Sequence, residues 1–270
     1  MKKPAVALVT GASSGIGRAS AIALAKDGLR VYGTCRNPHF ISAISGVEML
    51  SMDVTDPASI HAAVSRIISA EGRLDVLVCC AGMGIAGAVE DCDMAEIALQ
   101  MDTNFLGTVR AVKEVLPYMR AAGSGRIIIV GSIAGLTGMP FQAFYSSSKH
   151  ALEGLTESLR YELRAFGIQA CIVEPGDFRT GFTDARRVSG RTSEPYSVSF
   201  GKTMNVQIHD ERNGHDPAEA GRLVVKLMKR RKLPVRVSVG PLFQRIAVWG
   251  KRLLPAPVFE KIYRMIYKLP

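Results

Sequence analysis

Residues 5–10 (AVALVT) run straight into Gly11-Ala12-Ser13-Ser14-Gly15-Ile16-Gly17, and a segment with Ala19, Ile22, Ala23 and Leu24 follows, stopping at Gly28. The first run is apolar without alternation, as a parallel strand buried on both faces is. The last has the apolar spacing of a helix, with glycine at its end. A glycine-rich turn between strand and helix presents backbone N–H groups and a helix N-terminus, where a pyrophosphate can approach. The glycines are spaced G-x-x-x-G-x-G rather than G-x-G-x-x-G, so the strand–turn–helix context carries the reading. Gly11, Ser13, Ser14, Gly15, Ile16 and Gly17 are therefore expected to cradle a dinucleotide. Met1-Lys2-Lys3 ahead of the first run imitates a signal peptide, but the apolar stretch is too short and lacks a cleavage pattern, so it reads as a strand.

The same rhythm repeats down the chain. Further strands are expected at 30–35, 47–52, 74–80, 126–130, 168–173 and 235–239, with helices between them, including long ones near 94–119 and 144–166. Alternation of this kind predicts an α/β fold, a Rossmann-type doubly wound parallel sheet of about seven strands. Residues 1–240 form one dinucleotide-binding catalytic domain in this reading, and 241–270 form a C-terminal helical extension. Hydrophobic residues make up 47% of 270, which excludes a disordered body. No stretch reaches about 18 apolar residues, so no spanning helix is expected. Five cysteines, an odd number without metal-ligand spacing, suit free thiols in a reducing, cytoplasmic compartment, and no metal is expected.

Ligands in such sheets bind beyond the C-terminal strand ends, and those ends carry the candidate residues. After the second strand stand Cys35 and Arg36, where an acid would accept from the ribose hydroxyls of NAD. A guanidinium instead binds a phosphate bidentately, so NADP(H) is preferred over NAD(H). Asp53 follows the third strand and can accept from an adenine amino group. Ala81 and Gly82 follow the fourth, small enough for close approach of a ring or ribose. Ser132 follows the fifth and Pro175-Gly176 the sixth. Asn104 sits inside the long helix near 94–119, where asparagine is mildly unfavourable, and so calls for a packing bond or a function. Tyr145 and Lys149 lie four apart, one turn of helix from each other. A free phenol titrates at about 10; a fixed ammonium beside it lowers that value toward the range useful for proton transfer.

Together these residues resemble the short-chain dehydrogenase/reductase family over about residues 4–240. Thr10-Gly11-x-x-x-Gly15-Ile16-Gly17 matches its cofactor turn, Asn104, Ser132, Tyr145 and Lys149 its catalytic four, and Pro175-Gly176 its motif after the sixth strand. The family usually has Asn-Asn-Ala-Gly after the fourth strand; here it is Cys79-Cys80-Ala81-Gly82, which puts some strand-end hydrogen bonds in doubt. Residues 135–182 and the tail look most like the hydroxysteroid and retinol dehydrogenase branch. In the mechanism so implied, Tyr145 protonates the developing alkoxide in reduction, and its phenolate is the base in the reverse direction. Ser132 donates to the carbonyl oxygen. By resemblance, Lys149 binds the nicotinamide ribose and Asn104 holds a water that relays protons to Lys149.

The substrate pocket is expected between the 133–144 loop, Met83 and a polar insert at about 177–214, read as a lid. Leu136, Met139, Phe141, Phe178 and Phe182, with Ser132, favour a lipophilic substrate such as a steroid, retinoid or acyl-lipid ketone; Gln142 and His209 are polar candidates, His209 more simply a solvated loop histidine. A sugar or small polar ketone is the alternative within the same class. A silent NADP(H)-sensing protein is the alternative outside it, against which the full catalytic set argues.

The net charge of +10 is unevenly placed. Residues 226–270 hold twelve Lys/Arg and one acid, Glu260, leaving 22 Lys/Arg against 23 Asp/Glu before them. Pro255 and Pro257 divide 241–270 into two short basic, aromatic and apolar helices. Two readings weigh equally: an interfacial segment on an anionic membrane, or apolar faces that cover the domain or a subunit contact in a homodimer or tetramer. Nucleic acid is not expected, since no base-stacking module or recognition motif is present.

Overall fold

Apolar runs without alternation need cover on both faces, and the computed structural model, which describes residues 4–270, supplies it. The strands are β1 (Val6–Thr10), β2 (Arg30–Cys35), β3 (Val47–Ser51), β4 (Val76–Cys79), β5 (Gly125–Val130), β6 (Ile168–Pro175) and β7 (Arg236–Val239). They form one parallel sheet in the order β3-β2-β1-β4-β5-β6-β7. Met1–Lys3 lie outside the described residues, and β1 begins at Val6.

The helices are α1 (Gly15–Lys26), α2 (Pro57–Glu71), α3 (Met94–Met101), α4 (Gly107–Ala121), α5 (Ala143–Glu162), α6 (Phe182–Ala185), α7 (Glu194–Arg212), α8 (Pro217–Lys229), α9 (Leu242–Leu253) and α10 (Ala256–Ile266). Successive strand residues point to opposite faces. Leu8, Leu77, Ile127, Ile129 and Ile172 therefore meet Ile60, Val64, Val112 and Leu152 of α2, α4 and α5. Ala7, Val9, Val78, Ile128 and Val173 meet Ala21, Leu24, Val224 and Leu227 of α1 and α8. Ile127, Ile128 and Ile129 are all fully buried, each contributing about 2 kcal/mol by transfer from water.

From β1 the chain winds outward to β3, then returns to place β4 on the other side of β1. The loops leaving β1 and β4 diverge at this reversal and open a crevice above the sheet.

Three features differ from the sequence reading. The long helix near 94–119 is broken by a π-helical turn, Asp102–Leu106, between α3 and α4. The insert at 177–214 holds the 19-residue α7, whose buried positions are Thr203, Met204 and Gln207; with two of these three polar, no apolar periodicity announces it. A two-residue parallel pairing of Ile85–Ala86 with Arg187–Val188 ties that insert to the loop after β4. The tail forms two helices, α9 and α10, the second starting after Pro255. Among the described residues no helix is long and apolar enough to cross a membrane.

Candidate active site

Gly11 adopts φ +66°, a left-handed conformation suited to glycine. A methyl group on Gly17 would collide with the Gly11 carbonyl oxygen. The turn is thus as tight as the backbone allows, with the first turn of α1 facing the crevice. Thr10 stitches the neighbouring strand end: its Oγ1 accepts from Cys80 N at 3.0 Å and Ala81 N at 3.1 Å. These bonds pair the Cys80 and Ala81 amides, which stand where the family usually has Asn and Ala. Lining one cleft of about 590 Å³ are the glycine turn, Arg36, Asp53, Gly82, Ser132, Tyr145, Lys149 and Pro175-Gly176. Asp53 is fixed by Thr55, whose N and Oγ1 donate at 2.9 and 2.8 Å. Burial works against its charge, but these bonds and the nearby Arg36 outweigh it and hold the carboxyl below its ordinary range.

Tyr145 and Lys149 share α5, and the Lys149 Nζ donates to the Val130 carbonyl at 3.0 Å. An ammonium has three donors, so two remain for the cleft. Desolvation pulls Lys149 down to about 8. The Tyr145 ring lies against Phe182, centroids 5.6 Å apart. Its phenol is pushed up to about 12 by desolvation, with the Ser132 hydrogen bond pulling the other way. The expected lowering is thus not what the site shows: desolvation dominates, and the Lys149 ammonium stands 5.7 Å from the ring centroid. The phenol keeps its proton at neutral pH, the state a general acid needs. Ser132 Oγ accepts from Ala134 N at 3.1 Å, which leaves its own proton to donate.

Asn104 lies in the π-helical turn, a distortion frequent at functional sites. Its Oδ1 accepts from Met83 N at 2.8 Å, and its Nδ2 donates to Met83 O at 2.9 Å and Ser148 Oγ at 3.0 Å. The side-chain amide therefore clamps the loop after β4 to α5. A methyl group on Gly82 would press on Asn104 Oδ1 and touch Lys149 Nζ.

The half of the cleft expected to take the substrate lies beyond Tyr145. Met83, Met139, Gln142, Phe178 and Phe182 line it; Gln142 is buried and donates to Gln207 at 2.5 Å. Leu136 and Phe141, expected in this pocket, are not among its lining residues. Leu136 offers its carbonyl to Lys251 at 2.6 Å. Phe141, at φ +59°, turns away to pack edge-on against Phe200 and Tyr196 at 5.4 and 6.4 Å. His209 is exposed near Asn213. The sequence reading missed the opposite wall, made by the tail: Phe243, Gln244, Val248, Tyr263, Ile266 and Tyr267. Gln244 accepts from Asp177 N at 2.9 Å and donates to the Asp177 carboxylate, and Tyr263 pairs with Thr137 at 2.9 Å. Asp177, Asp210 and Glu211 add carboxylates to this half. Burial raises Asp177 to about 6.

Comparison with known proteins agrees with this geometry. Residues 5–189 match the short chain dehydrogenase family. Over 269 residues the chain is 45% identical to the 3-ketodihydrosphingosine reductase of Bacteroides thetaiotaomicron, covering 99% of each. It is 40% identical over 193 residues to human 17-beta-hydroxysteroid dehydrogenase type 1, covering 66% of this chain and 58% of that protein. A short-chain dehydrogenase from Streptomyces avermitilis superposes with a TM-score of 0.80 at 32% identity, covering 98% of both chains. The tight glycine turn, the helix N-terminus behind it and the lysine beside the β4 loop fit the dinucleotide such enzymes use. The chain belongs to the short-chain dehydrogenase/reductase family and is an oxidoreductase that moves a hydride between NAD(P) and a carbon bearing a hydroxyl or carbonyl.

Proposed function

We propose that the protein is an NADP(H)-dependent reductase of a long-chain lipid ketone of the 3-ketodihydrosphingosine kind. The observation that carries this reading is the wall built by α9 and α10. It closes the substrate half of the cleft with Phe243, Val248 and Ile266 opposite Met139, Phe178 and Phe182. The end-to-end match to the Bacteroides reductase includes these two helices. The ketone in that relative's name is a long-chain ketone with an amino group beside its carbonyl. Such a molecule needs an apolar trough with a negative group near the reacting carbon. Asp177, Asp210 and Glu211 offer carboxylates in the same half, two of them close enough to bias the Tyr145 phenol.

Arg36 at the end of β2 supports NADP(H): it lines the adenosine end of the cleft, where no carboxylate stands on the strand to accept ribose hydroxyls. When bound, NADPH supplies the hydride. Ser132 and Tyr145 receive the substrate's carbonyl oxygen between their hydroxyls. Ser132 donates a hydrogen bond as charge grows on that oxygen. Tyr145 gives up its proton to it, and the Lys149 ammonium stabilises the phenolate left behind.

The test is loss of NADPH absorbance on adding 3-ketodihydrosphingosine, a steroid ketone or a small polar ketone to the purified protein. Turnover with the long-chain amino ketone is expected to exceed the other two by at least tenfold in kcat/KM. The match to the human hydroxysteroid enzyme favours the steroid as second reading; a preference for steroid or polar ketone, or no oxidation with any, overturns the first.

A further inference from the structure

The two tail helices each present a second apolar face, turned away from the protein. In α9, Gln244, Ala247 and Val248 face the cleft, while Leu242, Ile246, Trp249 and Leu253 form an exposed stripe at helical spacing. In α10, Phe259, Tyr263 and Tyr267 form the partly buried face, and Val258, Ile262, Met265 and Ile266 stand exposed. Trp249 is 62% and Leu253 80% exposed. Soluble surfaces carry such residues singly; a run of eight on adjacent helices marks a contact surface.

Its chemistry selects the partner. Arg245, Lys261 and Arg264 are exposed along the same two helices, and Lys268 just past the end of α10. None of them joins an ion pair among the described residues. Apolar stripes bordered by unpaired cations are complementary to an anionic bilayer, where lipid tails take the stripe and headgroups take the charge. A second observation ties the surface to the cleft: Phe243 and Ile266 are 60% and 41% exposed and also line the cleft wall. The apolar surface and the substrate chamber therefore share a rim.

We infer that α9 and α10 dock the enzyme on an anionic membrane surface, with the mouth of the substrate cleft at the lipid boundary. The inner faces fasten the helices to the domain through Lys251 to Leu136 and Thr203 to the Tyr267 carbonyl at 3.1 Å. The outer faces remain for lipid, so packing on the domain and docking on a membrane are both served by the same two helices. A lipophilic substrate then reaches Tyr145 by moving sideways out of the bilayer rather than through water. This docking goes beyond the reaction proposed above and is read without any turnover.

The experiment mixes the full chain with vesicles of phosphatidylcholine containing phosphatidylglycerol and with vesicles of phosphatidylcholine alone. Trp249 is the single tryptophan, so its emission reports on this face directly. Co-sedimentation with the anionic vesicles and a blue shift of that emission are expected. Lys261→Glu with Arg264→Glu should weaken binding by about tenfold or more. Ile246→Glu with Leu253→Glu should abolish the blue shift; NADPH binding and circular dichroism verify that the variant is folded. The proposal is overturned if the wild type neither sediments nor shifts, if it binds neutral vesicles equally well, or if the glutamate variants bind like the wild type. It is also overturned if the face proves to be covered by a second copy, seen as a dimer that the Ile246→Glu variant dissociates and that ignores vesicles.

Discussion

The Lys149 ammonium lies 5.7 Å from the centre of the Tyr145 ring, one helical turn along α5. Desolvation pushes the phenol up to about 12, with the Ser132 hydrogen bond pulling the other way. The phenol is therefore protonated at neutral pH, the state from which a general acid donates, and it passes the proton on only as the accepting oxygen gains charge. Tyr145→Phe should lower kcat for reduction by about 10²–10⁴-fold while NADPH still binds. Oxidation requires the phenolate, so its rate should climb as pH rises from neutral toward alkaline, whereas reduction should not lose this proton over the same range. A variant within tenfold of the wild type, or an oxidation rate flat with pH, would refute the role.

Arg36 lines the cleft beside Asp53, at the end of β2. A charge-assisted hydrogen bond to a phosphate contributes about 1.5–3 kcal/mol. Arg36→Ala should therefore raise KM for NADPH by about 10- to 100-fold and leave KM for NADH nearly unchanged. Equal effects on both cofactors would show that this guanidinium does not meet the phosphate.

Asp177 is tied to Gln244 and Glu211 to Arg186, which leaves Asp210 as the carboxylate of this group best placed to meet a substrate cation. Asp210→Asn should raise KM for a long-chain amino ketone by up to about fivefold and spare a ketone of the same length without the amine. If both substrates are affected alike, the residue shapes the trough rather than reading the amino group.

Glu153 shows how α5 is held. It lies 3.3 Å from Arg236 of β7, which also pairs with Glu157 and Glu174. Desolvation, with the Glu174 charge beside it, lifts its carboxyl from 4.5 to about 7. The folded protein thus keeps a proton that the unfolded chain has already lost, and stability falls as pH rises between these two values. Glu153→Gln removes that titration. Its Tm should exceed that of the wild type above about pH 7 and converge on it toward about pH 4.5. A Tm difference independent of pH would rule the linkage out.

What could be read in advance follows from range. The glycine turn, Ser132 after β5 and the Tyr145–Lys149 spacing are local patterns, and each lies where the sheet brings strand ends together. Asn104 reads locally as a poor helix residue and enters the catalytic set only through the family resemblance; its side chain sits in the π turn, with the amide on Met83 and Ser148. The substrate half was less legible. Thr137 and Tyr263 meet across 126 residues and Asp177 and Gln244 across 67, and no periodicity encodes such encounters. Phe141 was misplaced because composition alone does not tell an aromatic that lines a cavity from one that fastens a loop to α7.

The tail wall also has a consequence for how this enzyme can diversify. The glycine turn, Gly82, Ser132 and Pro175-Gly176 sit at strand ends locked by a seven-stranded ladder of backbone hydrogen bonds, and Tyr145 and Lys149 on α5, whose Lys149 is bonded to the end of β5. Residues that face the substrate from α9 and α10 are anchored mainly by side chains. Exchanges at Phe243, Val248 or Ile266 can therefore reshape this wall of the cleft with the sheet undisturbed, so that its shape is free to drift in two peripheral helices while the strand-end machinery is inherited intact.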